Sequence, residues 1–206
     1  VAGRRVELSR EEATIAQLAE SNTRRGKRSY VIPAGGHTFL GAMAYCDAYQ
    51  EIQAQSERDY AAVITAIGTG TTCAGLHLGQ KISGDSTRVI GISVGGDQTW
   101  CKQEILAVVQ QIEKEMSINL SDPQDLHVYE DYIGEGYTIP YPRLREVIKL
   151  LARMEGILLD PVYSGKAMVG LIDLIEKGNF SRDESVLFLH TGGAPEIFTM
   201  NQFLCQ

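Results

Sequence analysis

The chain has 206 residues, a formal net charge of −7, and hydrophobic and charged fractions of 44% and 22%. That length suits one domain of ordinary size or the larger part of a two-lobed protein. The acidic balance speaks against a nucleic-acid or anionic-membrane partner, and apolar stretches no longer than strands exclude a transmembrane helix.

From the N-terminus, residues 1–29 form a polar segment whose arginines and lysine (Arg4, Arg5, Arg24, Arg25, Lys27, Arg28) read as a solvated surface. The start, VAGRRVELSREE, holds neither an initiator Met nor the apolar core of a signal peptide. The chain is therefore expected to have been cut, or to begin partway into a longer one. Residues 9–21 carry helical spacing, with Ser9 as cap and Glu11 and Glu12 in the first turn. YVIP (30–33) predicts a short strand followed by Gly35 and Gly36. Residues 38–54 predict a helix with Leu40, Ala44, Ala48 and Ile52 on one face.

The β-branched run 61–67 predicts a buried strand that stops at Gly68; after Gly70 a helix opens and runs to about residue 82. TRVIGISV (87–94) is an apolar strand closed by Gly95 and Gly96, and its helix, 98–116, carries Ile105, Val108, Val109 and Ile112. Residues 126–132 suggest another strand, leading into Gly134-Glu135-Gly136-Tyr137. A helix over 143–155 has Leu144, Val147, Ile148 and Leu151 on one face and Gly156 as its C′ residue. A short buried strand (157–159), a turn (160–165), a helix (166–177) and a last strand (184–189) complete the pattern. Strands alternating with helices, and apolar throughout, imply an α/β fold whose mostly parallel sheet is covered on both faces. In such sheets ligands bind beyond the carboxyl ends of the strands. The loops there read PAGG, GTGTT, VGG, GEGY, DPVYSG and HTGG, which suggests a ligand in close contact with backbone.

Within that set, GTGTT (68–72) has the makings of a phosphate site. A strand, a tight Gly/Thr turn and a helix start expose free N–H groups at the positive end of a helix dipole. Gly68 and Gly70 admit close approach, while Thr69, Thr71 and Thr72 add hydroxyl donors. The loop has no Gly-Lys-Ser/Thr ending, and Cys73 stands where a dinucleotide motif has its third glycine, so ATP and NAD are disfavoured. The four cysteines (Cys46, Cys73, Cys101, Cys205) lie far apart with no CxxC; they suit a reducing, cytoplasmic setting and point to no metal.

YVIPAGG, AIGTGTTCAGL, GEGY-x-x-P, EGILLDPVYSGKAMVGL and FLHTGG, in this order and spacing, closely resemble the D-cysteine desulfhydrase and 1-aminocyclopropane-1-carboxylate deaminase family. The resemblance covers about 30–198. It implies a pyridoxal-phosphate enzyme of tryptophan-synthase-β-like fold (fold type II, three-layer α/β/α), incomplete at the N-terminus. Residues 30–206 would then be the large cofactor domain, and 30–80 could carry part of the smaller lobe.

The resemblance also assigns roles. Gly68, Thr69, Gly70, Thr71 and Thr72 would cradle the cofactor phosphate. Tyr163 would stack by the pyridine ring and act on the substrate, and Tyr137 would line the pocket and help bind or deprotonate it. Thr191 or Ser164 would approach the pyridine nitrogen, where a neutral hydroxyl suits β-elimination. The deaminases resemble DPVYEGKS, so Ser164 favours the desulfhydrase branch: a lyase giving pyruvate, ammonia and sulfide from D-cysteine, with 1-aminocyclopropane-1-carboxylate deaminase or cysteate sulfo-lyase as alternatives. His37-Thr38-Phe39 departs from the family pattern and leaves the pocket wall open.

The lysine that forms the Schiff base lies, in this family, well before YVIP, and no such motif occurs in the residues before YVIP here. The chain alone is therefore expected to be inactive, and a non-catalytic phosphate-ligand-binding or oligomerisation module is the reading from another class. Lys166 is expected at the surface or pairing locally. His77 and His127 are expected to be structural, His190 to be held by a hydrogen bond at a strand end, and Trp100 to be a packing residue. Family resemblance adds a small amino-acid substrate and a homodimer.

Overall fold

The computed structural model describes residues 2–205, with side-chain environments from Ala13 onward. Helix α1 (Ala2–Arg24) begins well before Ser9, which therefore lies inside the helix and is not its cap. α2 (Phe39–Gln55) starts where expected: the Thr38 hydroxyl accepts from Gly41 N at 3.0 Å. There follow β1 (Ala62–Ile67), α3 (Thr71–Ser83), β2 (Arg88–Ser93) and α4 (Gln98–Met116), the last capped by Asp97. Then come β3 (His127–Tyr129), α5 (Pro142–Met154), α6 (Ser164–Glu176), β4 (Val186–Phe188) and two short helices, α7 (Pro195–Thr199) and α8 (Asn201–Cys205). Among the described residues no helix is long and apolar enough to cross a membrane.

All pairings are parallel, in the order β3-β2-β1-β4. The pleat sends alternate side chains to opposite cores. Val63, Ile67, Val89 and Val128 enter the layer under α2, α3 and α4, while Ala62, Ile64, Ile90 and Ile92 enter the layer under α5 and α6. The expected three-layer α/β/α arrangement is present. Each fully buried Ile contributes about 1.5–3 kcal/mol by leaving water.

Three local expectations fail for tertiary reasons. YVIP is not a strand; it pairs with no sheet edge, and Tyr30, Val31 and Ile32 are exposed. Residues 157–159 form no strand either: Leu159 is buried, but Ile157 and Leu158 face outward. The inner face of α2 is Ala42, Cys46 and Tyr49, not the stripe through Leu40 and Ala44. Gly75 and Gly79 of α3 decide this, because a Cβ on either would strike α2: Ala42 O or Tyr45 Cβ at Gly75, Cys46 O or Tyr49 Cβ at Gly79. Backbone-to-backbone contact along those two glycines sets the rotation of α2.

Candidate active site

Going from β1 to β2 to β3 the chain moves one way across the sheet, and β4 then lands on the other side of β1. The loops after β1 and β4 therefore part in opposite directions and leave a crevice at the carboxyl edge. A cavity of about 470 Å³ lies there, lined by the 68–72 loop, by Thr191, Gly192 and Gly193, and by Tyr137 and Tyr163. Ala34, Gly35, Tyr45 and Ala66 complete the wall. Five of the six glycine loops thus converge. VGG does not; Gly96 lies under the Trp100 ring, which is the packing role expected of that residue.

The β1–α3 turn is built to receive an anion. Gly70 takes φ +94°, a left-handed conformation, and a Cβ there would come within 3.0 Å of Ile105 Cγ1. α2 and α4 have side-chain caps, but the Gly70 cap of α3 has none. The first intrahelical bond runs from Ala74 N to Gly70 O at 2.8 Å, leaving the N–H groups of the first turn for a ligand. The Thr69 and Thr71 hydroxyls lie 3.1 Å apart, and His37 Nδ1 lies 2.9 Å from Thr71 Oγ1. His37 Nε2 is 3.6 Å from Glu104, and burial holds this histidine below its usual range against the pull of that carboxylate. A Cβ at Gly35 would sit 2.5 Å from Thr69 Oγ1, so the PAGG turn leans directly on the cradle.

Opposite the cradle, the Tyr137 and Tyr163 hydroxyls share a hydrogen bond, with rings edge-to-face at 5.7 Å and 75°. Tyr163 is held by the turn beneath it. Asp160, fully buried, accepts from Val162 N and Tyr163 N through Oδ2 and from Ser164 N and Ser164 Oγ through Oδ1, at 2.6–2.7 Å. Ser164 Oγ also accepts from Asp160 N at 2.9 Å. Both hydrogen-bonding directions of the Ser164 hydroxyl face Asp160, and Ser164 is not among the cavity's lining residues. Of the two hydroxyls considered for the pyridine nitrogen, Thr191 is the one in the wall.

Lys166 corrects the surface expectation. It is completely buried, and its Nζ donates to Ile133 O (2.7 Å), Gly136 O (2.7 Å) and Tyr137 O (3.0 Å). Among the described residues no lysine lines the cavity. His190 is held as expected: Gly192 N donates to Nδ1 at 3.2 Å, so Nε2 carries the proton toward Leu158 O at 3.1 Å. His77 is buried and pushed down to about 4 by desolvation and then Lys81. The Cys46, Cys73 and Cys101 thiols are buried and unbridged. Sequence reasoning missed Asp160 as the organiser of the Tyr163 turn, Tyr45 in the wall and His37 against the cradle. The first had a signal in Asp-Pro preceding a helix start; Tyr45 had none, because the rotation of α2 places it.

The family model described as pyridoxal-phosphate dependent enzyme matches residues 2–192. D-cysteine desulfhydrases of Salmonella newport and Salmonella typhi are 39% identical over 193 residues, which is 93% of this chain and 58% of theirs. A crystal structure described as an ACC deaminase homologue superposes with TM-score 0.85 at 33% identity, covering 92% of this chain and 57% of that one. Processed threonine deaminase isoform 2 of Solanum lycopersicum (TM-score 0.56, 14% identity, 90% of this chain and 51% of that one) shares the fold. The chain thus spans well under two thirds of the length of these relatives.

Proposed function

Since the chain belongs to the pyridoxal-phosphate-dependent enzyme family, we propose that it is the cofactor-binding part of a lyase acting on D-cysteine, releasing pyruvate, ammonia and sulfide with uptake of water. The observation that carries this reading is the tyrosine pair facing the Gly68–Thr72 turn across one cavity. The residues present fit the cofactor. The Gly68–Thr72 turn offers an uncapped helix start and three hydroxyls to a phosphate, and among the described residues no carboxylate lines the wall. Bound pyridoxal phosphate supplies an electron sink for negative charge at the amino-acid Cα.

The chain's own groups supply the rest. Gly68, Thr69, Gly70, Thr71 and Thr72 hold the phosphate. Thr191 would offer the pyridine nitrogen a neutral hydroxyl, and the Tyr163 ring would lie beside the heterocycle. Each phenol can both donate and accept a hydrogen bond, so Tyr137 and Tyr163, paired across the cavity, can hold or move a proton at the reacting atoms. The same reading extends to a homodimer in the cytoplasm, where the buried thiols stay reduced.

The test is a pyruvate and sulfide assay with D-cysteine, L-cysteine, cysteate and 1-aminocyclopropane-1-carboxylate. It is run on the native gene product beside these 206 residues, each with added pyridoxal phosphate and a borohydride-reduction control. Equal pyruvate and sulfide from D-cysteine is the expected result, with losses of about 10²–10⁴-fold on Tyr137→Phe or Tyr163→Phe. 2-Oxobutanoate from the cyclopropane substrate would move the reading to the deaminase branch. Absence of any turnover or reducible chromophore in both proteins would sink the lyase reading.

A further inference from the structure

A buried ammonium in the first turn of a helix is in an unfavourable place. Desolvation penalises the charge, and the positive end of the α6 dipole opposes it. Lys166 nevertheless sits there with no exposure. Its compensation is the 133–137 loop, where Gly134 at φ +71° turns the backbone so that three carbonyls converge on Nζ. The last of these belongs to Tyr137, whose hydroxyl meets Tyr163 from the other side. We propose that Lys166 is a positioning residue: by gathering the carbonyls of Ile133, Gly136 and Tyr137 it presents the Tyr137 hydroxyl to Tyr163 across the cavity. The inference deepens the lyase reading, on which the catalytic value of the tyrosine pair rests.

The donor count makes the clamp dependent on protonation. An ammonium has three N–H donors for three carbonyls, whereas a neutral amine has two and leaves one buried acceptor unpaired. Burial brings this lysine down to about 8, against the opposing pull of Asp160. Most other charges on the elements packed against α6 have partners of their own, while Lys149 of α5 is half-buried and Arg153 exposed. β1 has none, Arg88 of β2 reaches Asn179 O over the Phe180 ring, Arg143 of α5 pairs with Glu146 and Glu176, and Arg145 lies over Phe203. On α6 itself Asp173 pairs with Lys177 and Tyr132, and Glu135 of the loop is exposed. Asp131 beside the loop is also exposed, and the phenols near the loop are Tyr137, Tyr163 and Tyr141, whose ring lies against Gly134.

The experiment reads loop order, not turnover, so its failure and that of the lyase reading are separable. The protein is labelled with [13Cζ]tyrosine, the Tyr137 and Tyr163 signals are assigned from Tyr137→Phe and Tyr163→Phe, and hydrogen exchange is followed in the 133–140 peptide. Lys166→Met should speed exchange of that peptide about tenfold or more and move both signals to the position of exposed tyrosines, with partial rescue by Lys166→Arg. Unchanged exchange and signals in a folded Lys166→Met variant would overturn the proposal. If circular dichroism shows that variant unfolded, titration of the wild-type protein decides. A step in both signals with a midpoint near 8 supports the clamp. A trace with no step near 8 overturns it.

Discussion

Replacing Asp160 by asparagine removes a charge and almost no volume, and its effect can be worked from four bonds. Each carboxylate oxygen accepts two hydrogen bonds, Oδ2 from Val162 N and Tyr163 N and Oδ1 from Ser164 N and Ser164 Oγ. In Asp160→Asn one end of the side chain becomes a donor. The better orientation puts the amide nitrogen on the Ser164 side, where the hydroxyl can rotate to accept. The Ser164 N–H then faces another N–H and is left unsatisfied in a buried site, a loss of about 1–3 kcal/mol. Removing the carboxylate from the start of α6, whose N-terminal residue Tyr163 makes no side-chain capping bond to the helix, costs about 0.3–1 kcal/mol more, rising to about 2 when buried. The sum is about 3 kcal/mol. For a domain of this size that lowers Tm by about 6–12 °C. Scanning calorimetry of the two proteins measures it directly; a Tm within about 2 °C of wild type would refute the claim that this carboxylate organises the turn under Tyr163.

Three further outcomes are expected. Gly70→Ala forces an L-residue to φ +94° beside Ile105 at a cost of about 1–2 kcal/mol, so pyridoxal phosphate affinity by fluorescence titration should fall about tenfold; equal affinity would mean that the turn is not the phosphate seat. His37→Ala strips Thr71 of its ring partner and should weaken competition by inorganic phosphate about fivefold, the equivalent of one hydrogen bond of about 1 kcal/mol. For His77, the folded value of about 4 lies below the ordinary 6.5, so the unfolded chain takes up the proton first as pH falls. Its contribution is complete above pH 6.5, is lost between 6.5 and 4, and amounts to about 3 kcal/mol at most. Urea midpoints followed over that range should flatten in His77→Leu; an unaltered slope would assign the pH dependence to other groups.

Where local chemistry decides, the sequence was sufficient. The β1 run and the glycine turn after it depend on β-branching and on φ freedom, and both were legible. Tyr137 and Tyr163, by contrast, were singled out only through the family resemblance; the structure places both in the cavity wall.

Tertiary structure alone decided the features that need a distant partner. A β-branched segment becomes a strand only if it meets a sheet edge, and YVIP lies exposed and pairs with none. The buried face of α2 was chosen by glycines on another helix, which also brought Tyr45 into the cavity. Thr191 was separated from Ser164 by the geometry of the Asp160 turn. The burial of Lys166 rests on carbonyls 29 to 33 positions away in the chain. Periodicity and propensity describe what a segment can do alone, whereas pairing, rotation and the burial of a charge are properties of what it meets.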